Sequence, residues 1–329
     1  MKCITYSRFG KAADVLSLQE IDTPAPARGE VTVRLAFSGV NPSDIKSRAG
    51  GRPGVTKPAF DRIIPHSDGA GTIEAVGEGV NAARIGERVW IWNGQWQRAF
   101  GTASTQITLP EVQAVRMPDA VSFETGAVLG IPGLTASEAV FGGGDVAGKT
   151  VLVSGGGGTV GYLAVQLAAW AGAKVIATCS DKDAERVTAA GANAVLDYRA
   201  DDLSQKILAA NDGAPVDRII EVEFGVNAQM NADVIKPCGT IAAYGSQIDM
   251  TPTLPFGPLL FKAATIDIIL IYLLPLPARE KRIVQLHRAL EEGALLCPCA
   301  QVYAMADCAD AHEAVRTGER TGAILIDCN

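Results

Sequence analysis

The chain has 329 residues, of which 48% are hydrophobic and 20% are charged, and its formal net charge at pH 7 is -7. This length and composition are typical of a globular protein with about two domains, each able to bury a core. The negative net charge and the lack of any block of lysine and arginine argue against nucleic acid as a partner.

The N-terminal residues and the cysteines indicate a cellular compartment. The first six residues have the pattern of a strand and lack the apolar core of a secretory signal, so we expect a cytoplasmic protein. The seven cysteines are scattered and odd in number, which fits reduced thiols. The most apolar segment has an uninterrupted apolar core of only residues 268–274, too short to span a bilayer, so we expect no membrane partner.

The first 120 residues have the pattern of a β domain. Residues 31–36 alternate apolar and polar side chains as a half-buried strand does, and residues 71–76 and 88–91 predict further short strands. Glycine, proline, asparagine and aspartate separate these segments, as expected for turns.

From about residue 124 the pattern changes to alternating strands and helices. The strand candidates are residues 150–154, 174–178, 194–197, 218–222 and 240–244. Helical patterns such as residues 184–190 and 203–210 lie between them. Repeated βα units of this length predict a parallel sheet with helices on both faces.

The segment after Pro277 is too short to form a third domain. Its elements are a helix at residues 279–292, a strand at 299–303, a helix at 306–316 and a strand at 323–326. We expect this segment to pack against the N-terminal β domain.

The most informative motif is a glycine-rich turn between a strand and a helix. A β-prone apolar run stops at four consecutive glycines, and an apolar helical stretch follows. Gly155, Gly158 and Gly161 have the spacing of a dinucleotide-binding fingerprint. With Thr159 and Val160 they form the N-terminus of the predicted helix, whose free N–H groups and dipole suit a pyrophosphate.

Eight short segments occur in an order that is specific to one enzyme family. They are residues 39–44, 65–71, 86–89, 134–136, 155–161, 191–193, 197–199 and 311–314. In this order they resemble the medium-chain dehydrogenase/reductase superfamily, specifically its zinc-free quinone oxidoreductase (zeta-crystallin-like) branch. The resemblance implies an α/β fold with two domains and an active site in the cleft between them. The expected domains are a GroES-like β domain at residues 1–124 and 267–329 and a Rossmann domain with a doubly wound parallel sheet at residues 125–266.

Zinc-dependent relatives in this superfamily hold catalytic zinc through a cysteine, a histidine with a neighbouring glutamate, and a second cysteine. The resemblance places these positions at Asn41, at Ser67 with Asp68, and at Ile131. His66 lies one residue away and would point to the opposite face of a strand. Because thiolate and imidazole donors are missing at these positions, we expect no metal and in particular no zinc.

The second predicted strand of the dinucleotide domain indicates which coenzyme binds. NAD-selective sites place an acidic residue at the end of this strand, where this chain has Cys179. Candidates for binding a 2′-phosphate are Ser180, Lys182 and, by the resemblance, Tyr198. Asp181 can instead reach the ribose, and Arg186 is an alternative to Lys182. We expect NADPH rather than NADH.

Other positions are assigned to the nicotinamide and the substrate. Thr135 matches a position that contacts the nicotinamide end in relatives, and Gly245 and Ser246 end a predicted strand at the edge where open α/β sheets bind ligands. Asn41 either donates to a substrate carbonyl or only forms a turn. Lys46 stands where several quinone reductases carry a substrate-side tyrosine. The three histidines of the chain are interpreted as structural.

These observations favour an NADPH-dependent enzyme that transfers a hydride to a small electrophile, a quinone or an α,β-unsaturated carbonyl, without zinc. One alternative is an enoyl-thioester reductase of the same fold, although residues 49–54 lack the tyrosine that donates a proton in such relatives. Another is a non-catalytic NADPH- or RNA-binding protein like some zeta-crystallin relatives, against which the negative charge argues. The apolar residues 265–272 predict a homodimer. The sequence does not identify the physiological hydride acceptor or a proton donor.

Overall fold

The computed structural model describes residues 1–51 and 54–329, so Arg52 and Pro53 of the loop compared with enoyl-thioester reductases lie outside the described residues. The chain divides into two compact units. The first unit contains residues 1–131 and 297–329, and the second unit contains residues 132–296. In the described part of the chain, no helix has both the length and the apolar character needed to cross a bilayer.

The N-terminal segment of the first unit is mainly β structure. Its elements are β1 (Lys2–Thr5), α1 (Ala12–Val15), β2 (Ser17–Glu20), β3 (Glu30–Val40), α2 (Pro42–Ala49), β4 (Asp68–Val76), β5 (Arg88–Ile91), β6 (Gln106–Pro110), β7 (Ala114–Arg116) and α3 (Phe123–Gly126). Strand β3 pairs antiparallel with β4 and β6. Along it Val31, Val33 and Leu35 are buried and Arg34 is exposed, as the sequence predicts. Thr32 departs from the predicted alternation, because it is also buried and its hydroxyl lies 2.9 Å from that of Thr108.

The second unit alternates strands and helices. Its elements are α4 (Leu134–Phe141), β8 (Thr150–Val153), α5 (Thr159–Trp170), β9 (Lys174–Cys179), α6 (Asp181–Ala189), β10 (Ala194–Asp197), α7 (Leu203–Ala210), β11 (Val216–Glu221), α8 (Phe224–Val234), β12 (Ile235–Ala243), α9 (Phe256–Phe261), β13 (Thr265–Ile268) and α10 (Leu276–Glu291). The predicted parallel sheet is confirmed, because every strand in the order β10-β9-β8-β11-β12-β13 runs parallel to its neighbours.

This strand order places a switch point at the centre of the sheet. Within this sheet the first strand along the chain is β8, the next two, β9 and β10, lie on one side of it, and β11 lies on its other side. All four residues of β8 are buried, so both faces of the sheet are covered. In open α/β sheets, ligands bind at the carboxyl ends of the strands beside such a switch point.

The C-terminal segment completes the sheet of the first unit. It contains β14 (Cys299–Ala304), α11 (Cys308–Thr317) and β15 (Ala323–Asp327), and β15 pairs with both β14 and β3. The chain passes from the first compact unit to the second after residue 131 and returns after residue 296, whereas the sequence places these boundaries after residues 124 and 266. The difference arises because β13 pairs with β12 and α10 is joined to α4 by an ion pair, both within the second unit.

Candidate active site

The glycine-rich turn leaves the carboxyl end of β8 beside the switch point. Gly155 has φ +72°, a left-handed conformation that favours glycine. A Cβ on Gly161 would lie 2.2 Å from the carbonyl oxygen of Gly155, so only glycine allows the helix to start this close to the turn. A Cβ on Gly158 would make one ordinary contact at 3.5 Å and otherwise meet open space.

This turn has the features of an anion site. Gly158 is the N-cap residue of α5, and no side chain of the described residues caps that helix end. Thr159, Val160 and Gly161 form the first turn, where backbone N–H groups lack partners within the helix. These groups and the positive end of the helix dipole attract a pyrophosphate. The residues present therefore fit a dinucleotide coenzyme.

An ion pair between Asp183 and Arg186 lies beside the glycine turn. Ser180, the N-cap residue of α6, donates its hydroxyl hydrogen to Asp183 Oδ2 at 2.8 Å. Arg186 Nη2 donates to Asp183 Oδ1 at 2.9 Å and to the carbonyl oxygen of Gly157 at 2.6 Å. The Arg186 guanidinium also lies 4.5 Å from the ring centre of Tyr162. Arg186 therefore supports the turn, and Asp183 balances its charge.

Exposed polar side chains follow the ends of β9 and β10. Lys182 is exposed in the first turn of α6, and Tyr198 is 52% exposed. The guanidinium of Arg199 lies 4.7 Å from the ring centre of Tyr198. The N–H of Tyr198 donates to the carbonyl of Cys179 at 3.4 Å, which joins the ends of the two strands. Sequence reasoning missed Arg199, although it belongs to a matching segment.

The residues assigned to the nicotinamide have mainly structural contacts. Thr135 is 5% exposed within α4. The hydroxyl of Ser246 accepts from the N–H of Gly225 at 2.9 Å and donates to a backbone carbonyl in its own loop. A Cβ on Gly245 would lie 2.3 Å from the carbonyl oxygen of Val222, so two chain segments touch at the end of β12.

A buried polar network at the carboxyl end of β11 was not predicted. Glu221 is fully buried and accepts hydrogen bonds from the N–H of Glu223 at 2.7 Å, from Asn227 at 3.0 Å and from Asn231 at 3.0 Å. Asn227 also donates to the hydroxyl of Ser154 at 3.2 Å. The network thus links the ends of β8 and β11 beside the glycine turn.

In the first unit, an amide and two carboxyls form a buried group at the start of α2. Asn41 Nδ2 donates to Asp68 Oδ2 at 2.7 Å, and the backbone N–H of Asn41 donates to Asp44 Oδ2 at 2.7 Å. Burial raises the pKa of Asp68 well above its usual value and raises that of Asp44 to about 7. Lys46 is exposed on the same helix, and within the described residues no hydrogen bond or ion pair joins it to this group.

The residues at the zinc positions of the family do not fit zinc. Asn41 supplies an amide that already donates to Asp68, Ser67 supplies a buried hydroxyl, and Ile131 supplies a hydrocarbon side chain. Catalytic zinc in this superfamily requires thiolate and imidazole donors. His66 has φ +75°, and its ring belongs to a separate buried cluster.

Comparison with known proteins agrees with this architecture. A family model described as alcohol dehydrogenase GroES-like domain matches residues 27–119, and one described as zinc-binding dehydrogenase matches residues 159–287. The quinone oxidoreductase of Rattus norvegicus is 32% identical over 259 residues, which cover 77% of this chain and 76% of that protein. The synaptic vesicle membrane protein VAT-1 homolog of Homo sapiens is 31% identical over 256 residues, 74% of this chain. The chain spans only 61% of that relative's length.

Two solved structures share the fold over nearly the whole chain. An NAD-dependent alcohol dehydrogenase has a TM-score of 0.88 and 25% identity and covers 100% of both chains. A mycobacterial protein complexed with NADPH has a TM-score of 0.86 and 25% identity and covers 99% of both chains. The fold alone therefore does not decide between the two coenzymes. The chain belongs to the quinone oxidoreductase branch of the medium-chain dehydrogenase/reductase superfamily of oxidoreductases.

Proposed function

We propose that the protein is an NADPH-dependent reductase that delivers a hydride to a quinone or an α,β-unsaturated carbonyl without zinc. The observation that carries this proposal is the glycine turn, with an uncapped helix N-terminus, at the carboxyl end of β8 beside the switch point. When bound there, NADPH supplies the hydride from C4 of its nicotinamide ring.

The residues after β9 and β10 support NADPH over NADH. Cys179 stands where an NAD-selective site has a carboxylate, and the charge of Asp183 is balanced within its ion pair. Lys182 and Arg199 are exposed cations on the segments that follow these strands, and the phenol of Tyr198 is exposed there too. A phenol with cations suits a 2′-phosphate.

The side chains at Asn41 and Asp68 support an acceptor that is already electrophilic. An amide and a buried carboxyl offer hydrogen bonds, whereas a thiolate and imidazole set would hold a Lewis acid. A quinone or an enone delocalises the charge that hydride addition creates, so a hydrogen bond to its oxygen contributes directly to stabilisation. Burial raises the pKa of Asp68 well above its usual value. We assign Asn41 as the donor and Asp68 as the residue that positions it.

A panel of acceptors tests the proposal. Consumption of NADPH and NADH is followed by absorbance with quinones, alkenals and enoyl thioesters, and NADP⁺ reduction is followed with secondary alcohols. We expect quinones or alkenals to consume NADPH, with slower use of NADH and no effect of a chelator. Alcohol turnover stimulated by Zn²⁺ contradicts the zinc-free mechanism. Faster reduction of enoyl thioesters favours the alternative enzyme.

A gel-shift assay with RNA at two salt concentrations tests the non-catalytic alternative. Because the net charge is -7, we expect no RNA complex at either salt concentration. Salt-sensitive RNA binding, combined with no turnover of any acceptor, contradicts the reductase proposal.

A further inference from the structure

Three side chains with metal-binding atoms meet in the core of the first unit. His66, Cys308 and His312 are each no more than 1% exposed. One ligand atom from each lies within 4.8 Å of the others, and the Nε2 atoms of the two histidines are 2.9 Å apart. None of the three corresponds to a position where zinc-dependent relatives hold their catalytic metal.

The fold brings these residues together from distant parts of the chain. Cys308 and His312 are four residues apart on α11, so they lie on one face of that helix. His66 precedes β4 and has φ +75°, which is uncommon for a residue other than glycine. Backbone strain of this kind persists only where the surrounding structure enforces it, and it clusters at functional sites.

Hydrogen bonds fix the orientation of the His66 ring. Ser38 Oγ lies 2.9 Å from Nδ1 of His66 and 2.9 Å from the hydroxyl of Thr102. Thr102 in turn donates to the carbonyl oxygen of Asp68 at 2.5 Å. Metal-binding histidines usually have such a polar partner on the ring nitrogen that does not face the metal. The bonds leave Nε2 of His66 directed at His312.

A hydrogen bond between the rings does not satisfy the whole cluster. One proton between the two Nε2 atoms accounts for their separation, yet Nδ1 of His312 has no hydrogen-bond partner among the described residues. Burial favours neutral imidazole, which is the form that binds metal. A cysteine thiolate with two neutral imidazoles is a ligand set that suits thiophilic d10 ions.

We propose that His66, Cys308 and His312 bind a thiophilic d10 cation, Zn²⁺ or Cu⁺, as a structural site that is independent of the reductase activity. Binding releases the thiol proton of Cys308 to solvent and moves the proton between the rings to an Nδ1 atom, and no electron is transferred. With one thiolate, Cu⁺ forms a neutral unit in this dry core, so the site favours Cu⁺.

Metal content of the full chain tests this site. The protein is purified without a histidine tag, incubated with Zn²⁺ or with Cu⁺ under reducing, anaerobic conditions, gel-filtered and assayed by mass spectrometry for metal. We expect about one ion per chain, and at least about a tenfold loss in Cys308→Ser. Ser38→Ala should weaken binding by about 10–100-fold. Asn41→Ala should keep its bound metal, which would show that the metal does not occupy the zinc position of the family.

A matched control uses another buried thiol of the same core. Cys3 is also a free cysteine with no exposed surface, and it is not part of the cluster. Cys3→Ser should retain metal as the wild type does. Equal loss in both cysteine variants overturns the proposal, because metal retention would then depend on core packing in general.

X-ray absorption at the metal edge of the wild-type protein keeps the test independent of variant folding. We expect a first coordination shell with one sulfur and two imidazole nitrogens. The proposal is overturned by a shell without sulfur, by unchanged retention in Cys308→Ser, or by less than about a tenth of an ion per chain with both metals.

Discussion

At the scale of single residues, Lys182 and Arg186 differ in what they already contact. Arg186 donates to Asp183 and to the carbonyl oxygen of Gly157. Lys182 is exposed in the first turn of the same helix. We therefore propose Lys182 as the cation for the 2′-phosphate, while Arg186 keeps the glycine turn in shape.

Substitution of each cation separates these roles. Lys182→Ala should raise KM for NADPH about tenfold and leave KM for NADH nearly unchanged, because a charge-assisted contact to phosphate is worth roughly 1.5 kcal/mol or more. Arg186→Ala should raise KM for both coenzymes, since both need the turn. Steady-state kinetics of the two variants measures the difference. Equal effects of Lys182→Ala on the two coenzymes would contradict the assignment.

The buried carboxyl of Asp44 gives the first unit a specific pH dependence. Burial raises its pKa from 3.8 to about 7 in the folded protein. Between these two pH values the folded state keeps the proton and the unfolded state has released it, so stability falls as pH rises through this window. Each pKa unit corresponds to about 1.4 kcal/mol, so the effect is at most ~4 kcal/mol.

Asp44→Asn should remove this part of the pH dependence. The amide oxygen of asparagine can still accept from the N–H of Asn41, and it does not titrate. The midpoint of urea unfolding, measured between about pH 4 and pH 8, should fall less steeply for Asp44→Asn than for the wild type. Asp119→Asn, a change at an exposed aspartate of the same unit, is the control. Identical pH profiles for wild type and Asp44→Asn would refute this explanation.

At the scale of elements, the glycines of the turn have separable tasks. Gly161 permits the close approach of α5 to Gly155, whereas a Cβ on Gly158 projects into open space that we assign to the pyrophosphate. Gly161→Ala should therefore lower both the urea midpoint and the affinity for NADPH. Gly158→Ala should leave the midpoint unchanged and raise Kd for NADPH about tenfold or more, a cost of roughly 1.4 kcal/mol.

Fluorescence titration with NADPH and urea unfolding measure the two effects. Gly257→Ala is a matched control, because a Cβ there meets nothing within 4 Å. If Gly158→Ala bound NADPH as tightly as the wild type, the pyrophosphate would not lie over this turn.

Elements whose pattern is local were predictable from the sequence. The strands from β8 to β12 and the glycine turn follow from periodicity and composition within short windows. Residues 265–272 were predicted as one strand, but β13 ends at Ile268 and a 3₁₀ turn covers Ile271–Leu273. Apolar composition alone does not distinguish a strand from a turn.

Contacts between distant segments were not predictable. Asn41 and Asp68 are 27 residues apart, and His66 and His312 are 246 residues apart. Their pairing depends on sheet register and on the packing of α11, which a single sequence does not specify. The histidines were consequently interpreted as structural, without any indication that Cys308 lies beside them.

At the scale of the whole molecule, one edge of the parallel sheet is unusually apolar. Strand β13 is last in the strand order, so its outer backbone groups are open to pairing within the described residues. Six large apolar side chains on β13 and nearby segments are each more than 60% exposed: Ile248, Met250, Phe256, Phe261, Ile268 and Leu273. A soluble monomer rarely exposes so many together. We propose that a second copy of the chain covers them.

A two-fold axis at this edge would pair β13 antiparallel with its copy and bury the same apolar side chains from both protomers. Light scattering with size-exclusion chromatography should therefore give twice the mass of one chain. Ile268→Lys should weaken the dimer by about 30-fold or more, since burial of an unpaired charge at the centre of an interface costs at least ~2 kcal/mol. Val284→Lys changes an apolar side chain of the same unit that is 66% exposed on α10, and should leave the mass unchanged. A monomeric wild type would contradict the homodimer, whereas a dimer that survives Ile268→Lys would place the two-fold axis elsewhere.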